Sequence, residues 1–127
     1  MQKLDDWNQL WTDGVDLLSV VGPAGSVAFD ETSIALVRAA PGSAPVPPHH
    51  HRVSTEIYLV VSGRGEVTVG GARSAVGPGS VVLIETGEVH TIVPVGDEEL
   101  VYWAVSTPAW RIEDHVLVEG EPEPSAG

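Results

Sequence analysis

HHHRVSTE, at residues 49–56, is the most informative stretch of this 127-residue chain, and a lone histidine, His90, follows it in a later apolar stretch. Alternate side chains of a β-strand point to the same face, so His49 and His51 share a face if the stretch is extended. At roughly 3.3 Å per residue their rings lie about 6–7 Å apart along the strand, which lets both bind one ion. With Glu56 and His90 as further ligands, the set suits iron, manganese, nickel, copper or zinc rather than calcium or magnesium. The pattern predicts one divalent transition metal ion per chain.

The spacing between His51 and Glu56 makes a further structural demand. The two residues are five apart in the sequence, so one unbroken strand would place them on opposite faces. Both can reach one metal only if the chain turns or bulges within residues 52–55, where serine and threonine are compatible with a turn. His50, at the odd position, is predicted to point outward.

Tyr58 lies two residues after Glu56 and is predicted to share its face, together with Val60. Its side chain should therefore look into the cavity that holds the metal. We interpret Tyr58 as a catalytic proton donor or a hydrogen-bonding group for the substrate. The alternative is an aromatic ring that only packs in the core of a barrel.

The spacing of these residues resembles the two sequence motifs of the cupin superfamily, over roughly residues 27–107. The first motif is Gly, His-x-His, Glu, Gly, and the second is Gly, Pro-x-Gly, His, Asn. The matching positions here are Gly42, His49, His51, Glu56 and Gly63 for the first motif, and Gly79, Gly87 and His90 for the second. The resemblance implies a jelly-roll barrel in which His49, His51, Glu56 and His90 bind a metal ion.

The sequence departs from the family pattern at three positions. Gly42 lies one residue too far from His49, Glu85 stands where the family has proline, and Pro94 stands where it has asparagine. None of the three is a ligand position. The departures therefore weaken a subfamily assignment more than they weaken the metal prediction.

The rest of the chain also favours an all-β fold. Short apolar stretches alternate with turns rich in glycine, which is typical of sandwiches and closed barrels. Gly70-Gly71 between two such stretches predicts a two-residue hairpin. Four prolines within residues 39–48 predict a loop. The fold class expected is thus an all-β jelly roll, or double-stranded β-helix.

The two ends of the chain are expected to differ from the barrel. Leu4, Trp7, Leu10 and Trp11 recur at helical spacing, which predicts a short N-terminal helix within residues 4–18. We therefore expect an N-terminal helical extension at residues 1–24, the barrel at 25–118 and a disordered acidic tail at 119–127.

Composition narrows the classes of function. The net charge of −12, from 18 acidic residues against 6 lysines and arginines, repels nucleic acids and anionic membranes. No apolar stretch approaches the roughly 20 residues of a membrane helix, and no secretory leader is recognisable, so a cytoplasmic protein is expected. Without cysteine there is no thiolate ligand or disulfide, and with one lysine, Lys3, Schiff-base chemistry is not expected.

Several further side chains have two interpretations. Arg38 is a rim arginine or an anchor for a substrate carboxylate, and Glu85 is a solvated strand end or a carboxylate behind the ligands. Tyr102 and Trp103 must face opposite ways, but the sequence does not show which points inward. The segment at 110–115 is predicted to be a surface extension, with His115 not a ligand.

These observations lead to two functional hypotheses. The first is a metal-dependent enzyme that acts on a small, largely apolar organic substrate. It would be an oxygenase, such as an iron dioxygenase, or a polyketide-cyclase-like or isomerase-like enzyme. The second is a non-catalytic module that binds or senses a small ligand. In either case we expect a homodimer, because open strand edges and an apolar N-terminal face need covering.

Overall fold

The computed structural model describes residues 8–9, 12–23 and 25–118, and within these ranges the chain forms two β-sheets and no α-helix. The strands are β1 (Asn8–Gln9), β2 (Val15–Gly22), β3 (Val27–Ala28), β4 (Ser33–Ala39), β5 (His49–His51), β6 (Thr55–Ser62), β7 (Arg64–Val69), β8 (Ala72–Val76), β9 (Val81–Ile84), β10 (His90–Val95), β11 (Leu100–Thr107) and β12 (His115–Leu117). A 3₁₀ turn, Ile112–Asp114, precedes β12.

The two sheets face each other as the layers of a jelly roll. The larger, seven-stranded sheet has the order β1-β2-β4-β11-β6-β9, with β3 beside β2. The smaller, five-stranded sheet has the order β12-β5-β10-β7-β8. Most neighbours in each sheet are distant in the sequence, as the jelly roll requires. The predicted all-β jelly roll is confirmed.

The predicted N-terminal helix is wrong for the described residues. β2 pairs antiparallel with β4, with Val15 opposite Ala39 and Leu17 opposite Val37, so the larger sheet includes residues that we assigned to an N-terminal extension. The pairing overrides the helical pattern, and β-branched residues along β2 suit a strand. The apolar residues that carried the helical spacing lie outside the described residues, as does the predicted tail at 119–127.

Two glycine turns fix the register of the strands around the core. Gly63, between β6 and β7, has a φ of 78°, and a Cβ there would lie 2.1 Å from the Glu99 carbonyl oxygen, so only glycine fits. At the predicted hairpin, Gly70 and Gly71 both have positive φ and connect β7 to β8 with Val69 opposite Ala72.

The core lies between the two sheets. Inward residues of the larger sheet, such as Val37, Val60 and Leu100, pack with Val67 and Ile92 of the smaller sheet. The proline-rich loop predicted between Ala39 and Pro48 joins the sheets, and its Val46 is buried in the same core. The described part of the chain contains no helix with the length and apolar character needed to cross a membrane.

Candidate metal centre

The four predicted ligands come together between the sheets. β5 carries His49 and His51 on one buried face, and His90 of β10 lies directly opposite His49 in the antiparallel pairing. Glu56 reaches the same place from β6 of the larger sheet. The turn predicted between β5 and β6 is present, and it carries the chain from one sheet to the other.

That turn is held by contacts from distant parts of the chain. The Gly87 N–H donates to the His51 carbonyl at 2.9 Å, so the second motif stretch contacts the first. The Asp114 carboxylate accepts the N–H groups of Val53, at 2.6 Å, and Ser54, at 3.2 Å. These bonds satisfy buried backbone donors and fix the direction in which His51 points.

The ligand atoms form a compact, buried group. One nitrogen or oxygen from each of His49, His51, Glu56 and His90 lies within 4.8 Å of the others. Their exposed fractions are 7%, 3%, 6% and 1% respectively. Glu56 Oε1 lies 3.1 Å from His90 Nε2 and 3.4 Å from His51 Nε2.

Backbone carbonyls determine which ring nitrogens can bind an ion. The Nδ1–H of His49 donates to the Pro47 carbonyl at 2.9 Å, and the Nδ1–H of His90 donates to the Glu88 carbonyl at 2.9 Å. A carbonyl oxygen only accepts, so both Nδ1 atoms carry a proton and Nε2 is left with its lone pair in the neutral ring. This orientation by a carbonyl is usual for histidines that bind metals.

The group fits a metal ion on chemical grounds. His90 Nε2 and Glu56 Oε1 face each other at 3.1 Å, a contact that either a proton or a metal ion between them can satisfy. Ligand atoms about 2.1 Å from a metal and at right angles to each other lie about 3 Å apart, which matches this spacing. In the described part of the chain His51 has no hydrogen-bond partner on either ring nitrogen, although both are buried. A buried polar atom left unsatisfied costs about 1–3 kcal/mol, a cost that a bound ion would remove at Nε2.

Electrostatics keep the ligands in the state that binds metal. Burial would raise the pKa of Glu56, but the imidazoles of His51 and His90 overcome this and lower the pKa to about 2. Burial, together with the nearby His90, lowers the pKa of His49 to about 3. The carboxylate is therefore ionised and the His49 imidazole neutral at neutral pH.

A cavity of about 180 Å³ opens beside three of the four ligands, His49, His51 and Glu56. Its walls are mostly apolar, from the inward faces of β2 and β4, and none of the described residues that line it is a lysine or arginine. Tyr58 and Tyr102 line it as well, with ring centroids 4.7 Å apart. Burial raises the pKa of both phenols, and the Glu56 carboxylate raises it further, so both hydroxyls stay protonated. The predicted inward position of Tyr58 is confirmed.

The C-terminal segment contributes residues that the sequence did not reveal. β12 pairs with β5, which places His115 opposite His51. The His115 ring stacks on His49 at a centroid distance of 4.1 Å, and its Nδ1 accepts the Trp110 indole N–H at 3.1 Å. Burial, together with the neighbouring His51, lowers the pKa of His115 to about 4. The prediction that this segment is a surface extension is wrong, because Trp110 and His115 line the cavity.

Ser106 is a further residue that sequence reasoning missed. Its hydroxyl donates to Glu56 Oε2 at 3.2 Å, and the side chain is 2% exposed. A serine near the end of a strand gives no signal in the sequence. Its inward parity with Tyr102 and Ala104 on β11 was the one available clue.

The remaining candidates lie away from the ligands. Arg38 pairs with Asp16, Nε to Oδ2 at 3.4 Å, on the side of the larger sheet that faces away from the cavity, so it is not a substrate anchor. Glu85 is an exposed strand end. Tyr102 is the inward aromatic of its pair and Trp103 the outward one. His50 is only half-buried and does not belong to the ligand group.

With this geometry in place, the chain can be assigned to a family. Residues 35–106 match the family model described as "Cupin domain", which covers more than half of the chain. The protein therefore belongs to the cupin domain family, as the motifs indicated.

The similarity to individual proteins is low in sequence identity or covers only part of their length. An uncharacterized protein from Methanocaldococcus jannaschii is 31% identical over 71 residues, covering 56% of this chain and 57% of its own length. DMSP lyase DddQ from Ruegeria pomeroyi is 25% identical with a TM-score of 0.74, over 87% of this chain and 55% of the lyase. KdgF from Halomonas sp. is 22% identical with a TM-score of 0.70, over 86% and 91% of the two chains. The likeness to KdgF shows the fold alone, and the chain spans little more than half of the other two proteins.

Proposed function

We propose that this protein is a metal-dependent cupin enzyme that promotes proton transfer next to a carbonyl or enol oxygen of a small, largely apolar substrate. One divalent ion of iron, manganese, nickel, copper or zinc would be held by His49, His51, Glu56 and His90. Bound there, the ion supplies Lewis acidity to a substrate oxygen. The reaction would be an isomerisation, cyclisation or elimination.

The observation that carries this proposal is the pair of protonated phenols in the wall of the cavity beside the ligands. A neutral hydroxyl donates a hydrogen bond or a proton to an oxygen that gains negative charge as a neighbouring C–H bond ionises. Tyr58 is the better placed of the two, because it lies two residues from Glu56 on β6 and its ring centroid is 6.2 Å from that of His90.

The lining of the cavity supports the substrate class. Apolar side chains from β2 and β4 exclude water and favour hydrocarbon, and the lack of lysine and arginine among the described lining residues disfavours a phosphorylated substrate. The similarity to a protein named as a DMSP lyase supports elimination chemistry as one member of the class.

An oxygenase is the second candidate. Three imidazoles and a carboxylate also suit redox-active iron or manganese, and a mostly apolar cavity suits the reaction of O₂ with an enol or diol. The non-catalytic alternative is a module that holds a small ligand at the same site.

One experiment separates these functions. Metal-loaded protein is incubated in D₂O with a panel of small ketones, β-diketones, enols and diols, with C–H exchange followed by NMR and O₂ uptake by an electrode. Metal-dependent exchange or elimination without O₂ uptake supports the proposal. Metal-dependent O₂ uptake would instead show that the protein is an oxygenase. If a compound raises the melting temperature of the metal-loaded protein without any turnover, the protein is a binding module.

The Tyr58→Phe variant tests the role of the phenol once a substrate is found. Loss of a proton donor should lower turnover by about 10²–10⁴-fold while metal content stays the same. Tyr102→Phe is the matched control, since Tyr102 lines the same cavity from β11. Turnover at the wild-type level in Tyr58→Phe would show that the Tyr58 ring packs in the core and that its hydroxyl has no part in the reaction.

A further inference from the structure

The strand register of the larger sheet aligns three small side chains in one row beside the metal centre. Ser19 of β2 lies opposite Ala35 of β4, and Ala35 lies opposite Ala104 of β11. Ala104 in turn lies opposite Tyr58 of β6, the strand that carries Glu56. Ser19, Ala35 and Ala104, together with Tyr58, line the cavity. We call Ser19, Ala35 and Ala104 the small-residue row.

The next inward row of the same sheet is filled by large side chains. There Val37 lies opposite Tyr102, and Tyr102 opposite Val60, and the three are buried at 2%, 3% and 5% exposure. Ala35 and Ala104 stay only half-buried, although both line the cavity between the sheets. An inward side chain keeps exposed surface where the space beside it is not filled. The small side chains of the row therefore help to create the cavity.

Flat rings line the cavity as well, and hydrogen bonds hold them in place. The rings of His49 and His115 stack at a centroid distance of 4.1 Å. The Trp110 indole N–H donates to His115 Nδ1 at 3.1 Å, and the Trp110 backbone N–H donates to Ser33 Oγ at 2.9 Å. A cavity lined by alanine methyl groups and by the faces or edges of rings suits a hydrocarbon group better than a polar one.

His51 gives an independent indication that this cavity takes a ligand. Its imidazole lines the cavity and is 3% exposed, and neither ring nitrogen has a hydrogen-bond partner in the described part of the chain. Buried polar groups are rarely left without a partner. The polar head of a bound molecule therefore belongs at the end of the cavity next to His51 and Glu56. The small-residue row leads away from β6, the strand of Glu56, towards β2.

From these observations we propose that the small-residue row binds the apolar tail of the substrate and limits the length of that tail. This inference rests on the proposed function, because the head of the substrate is bound at the metal centre. Neighbouring strands lie about 4.8 Å apart, so Ala104, Ala35 and Ser19 follow Tyr58 at about 5 Å, about 10 Å and about 14 Å along the row. The substrate class is thus a molecule with an oxygen-bearing head and an unbranched apolar tail.

The test measures binding to the full-length, nickel-loaded protein rather than turnover. The probes are acetohydroxamate, butanohydroxamate, hexanohydroxamate and octanohydroxamate, which share a head that binds metal ions through two oxygens and differ only in the length of the tail. Isothermal titration calorimetry gives each dissociation constant, and mass spectrometry checks that the probe does not remove the ion. For the wild type, each methylene that enters the cavity should tighten binding by about 4-fold.

Leucine at each position of the row should stop this gain at a different tail length. In Ala104→Leu, butanohydroxamate should already bind no more tightly than acetohydroxamate. Ala35→Leu should stop the gain at hexanohydroxamate, and Ser19→Leu only at octanohydroxamate. Ala75→Leu, at an exposed position of β8 in the other sheet, is the matched control and should keep the affinities of the wild type.

Acetohydroxamate reports on the metal centre of each variant, because its single methyl group is too short to extend along the row. If a leucine variant loses metal or affinity for acetohydroxamate, the valine variant at the same position replaces it in the series. Wild-type affinity that does not rise with tail length, or a gain that stops at the same length in all three variants, overturns this inference and leaves the metal-dependent function standing. Failure of acetohydroxamate to bind the nickel-loaded wild type would overturn the proposed function as well.

Discussion

At the scale of single residues, the site depends on groups that hold the ligands without being ligands themselves. Ser106 is the clearest case, because its hydroxyl contacts the Glu56 oxygen that does not face the imidazoles. Such partners orient a metal-binding carboxylate and are worth about 10–100-fold in metal affinity.

Ser106→Ala should therefore weaken metal binding by about 10-fold or more without unfolding the protein. The measurement is a competition titration against a chromophoric chelator, with folding checked by circular dichroism. Ser74→Ala, at an exposed position of β8, is the control and should bind like the wild type. Equal affinities in both variants would show that Ser106 does not support Glu56.

Several single-residue features could be predicted from the sequence. The period of a strand predicted that His49 and His51 share a face, that His51 and Glu56 need a turn between them, and that Tyr58 points inward. These predictions succeeded because parity is a local property of the backbone. His115 could not be placed in this way, because its contact with His49 depends on the pairing of β12 with β5 across a large separation in sequence.

At the scale of elements, the turn between β5 and β6 is the critical connection, and Asp114 holds it from the far end of the chain. Burial would raise the pKa of Asp114, but the bonds from Ser54 and Val53 overcome this and lower it. Asp114 Oδ2 also lies 3.8 Å from His51 Nδ1, so the carboxylate supports both the turn and the ligand.

Asp114→Asn should lower metal affinity about 10–100-fold and also destabilise the metal-free protein. The amide has a single acceptor oxygen for two backbone donors, and leaving one buried donor unsatisfied costs about 1–3 kcal/mol. Chelator competition and urea unfolding measure the two effects. Glu113→Gln, the exposed neighbour in the same 3₁₀ turn, is the control, and matching values in both variants would contradict this role.

Strand β2 shows why elements can be misassigned from sequence. Helical spacing of Leu4, Trp7, Leu10 and Trp11 was extended over residues that the structure places in β2. What decides β2 is its pairing with β4 and the packing of Val15 in the core, both of which are long-range. Glycine turns carry their own local signal, and accordingly the Gly70-Gly71 hairpin was predicted correctly.

At the scale of the whole molecule, the lowered pKa values link stability to pH. An unfolded histidine takes up a proton below about pH 6.5. In the folded chain the pKa of His115 is about 4 and that of His49 about 3. Between these values and about pH 6.5, the unfolded state therefore binds more protons than the folded state. Glu56, with a pKa of about 2, extends the same effect to lower pH.

The free energy of unfolding of metal-free protein should therefore fall on acidification from pH 6.5 towards 4, by up to about 1.4 kcal/mol per pH unit for each extra proton. Urea unfolding in the presence of a chelator at several pH values gives this slope. His115→Asn should make the slope shallower. A stability that does not change over this range, or an unchanged slope in the variant, would contradict the linkage.

The measurement that tests the central claim most directly is metal content by mass spectrometry, on untagged protein expressed with iron, manganese, nickel, copper and zinc available. Wild type and His50→Ala should hold about one transition metal ion per chain, because His50 is outside the ligand group. His51→Ala should hold almost none, since it removes one of four ligands. A metal-free wild type, or His51→Ala with a full complement of metal, would contradict a centre built from His49, His51, Glu56 and His90.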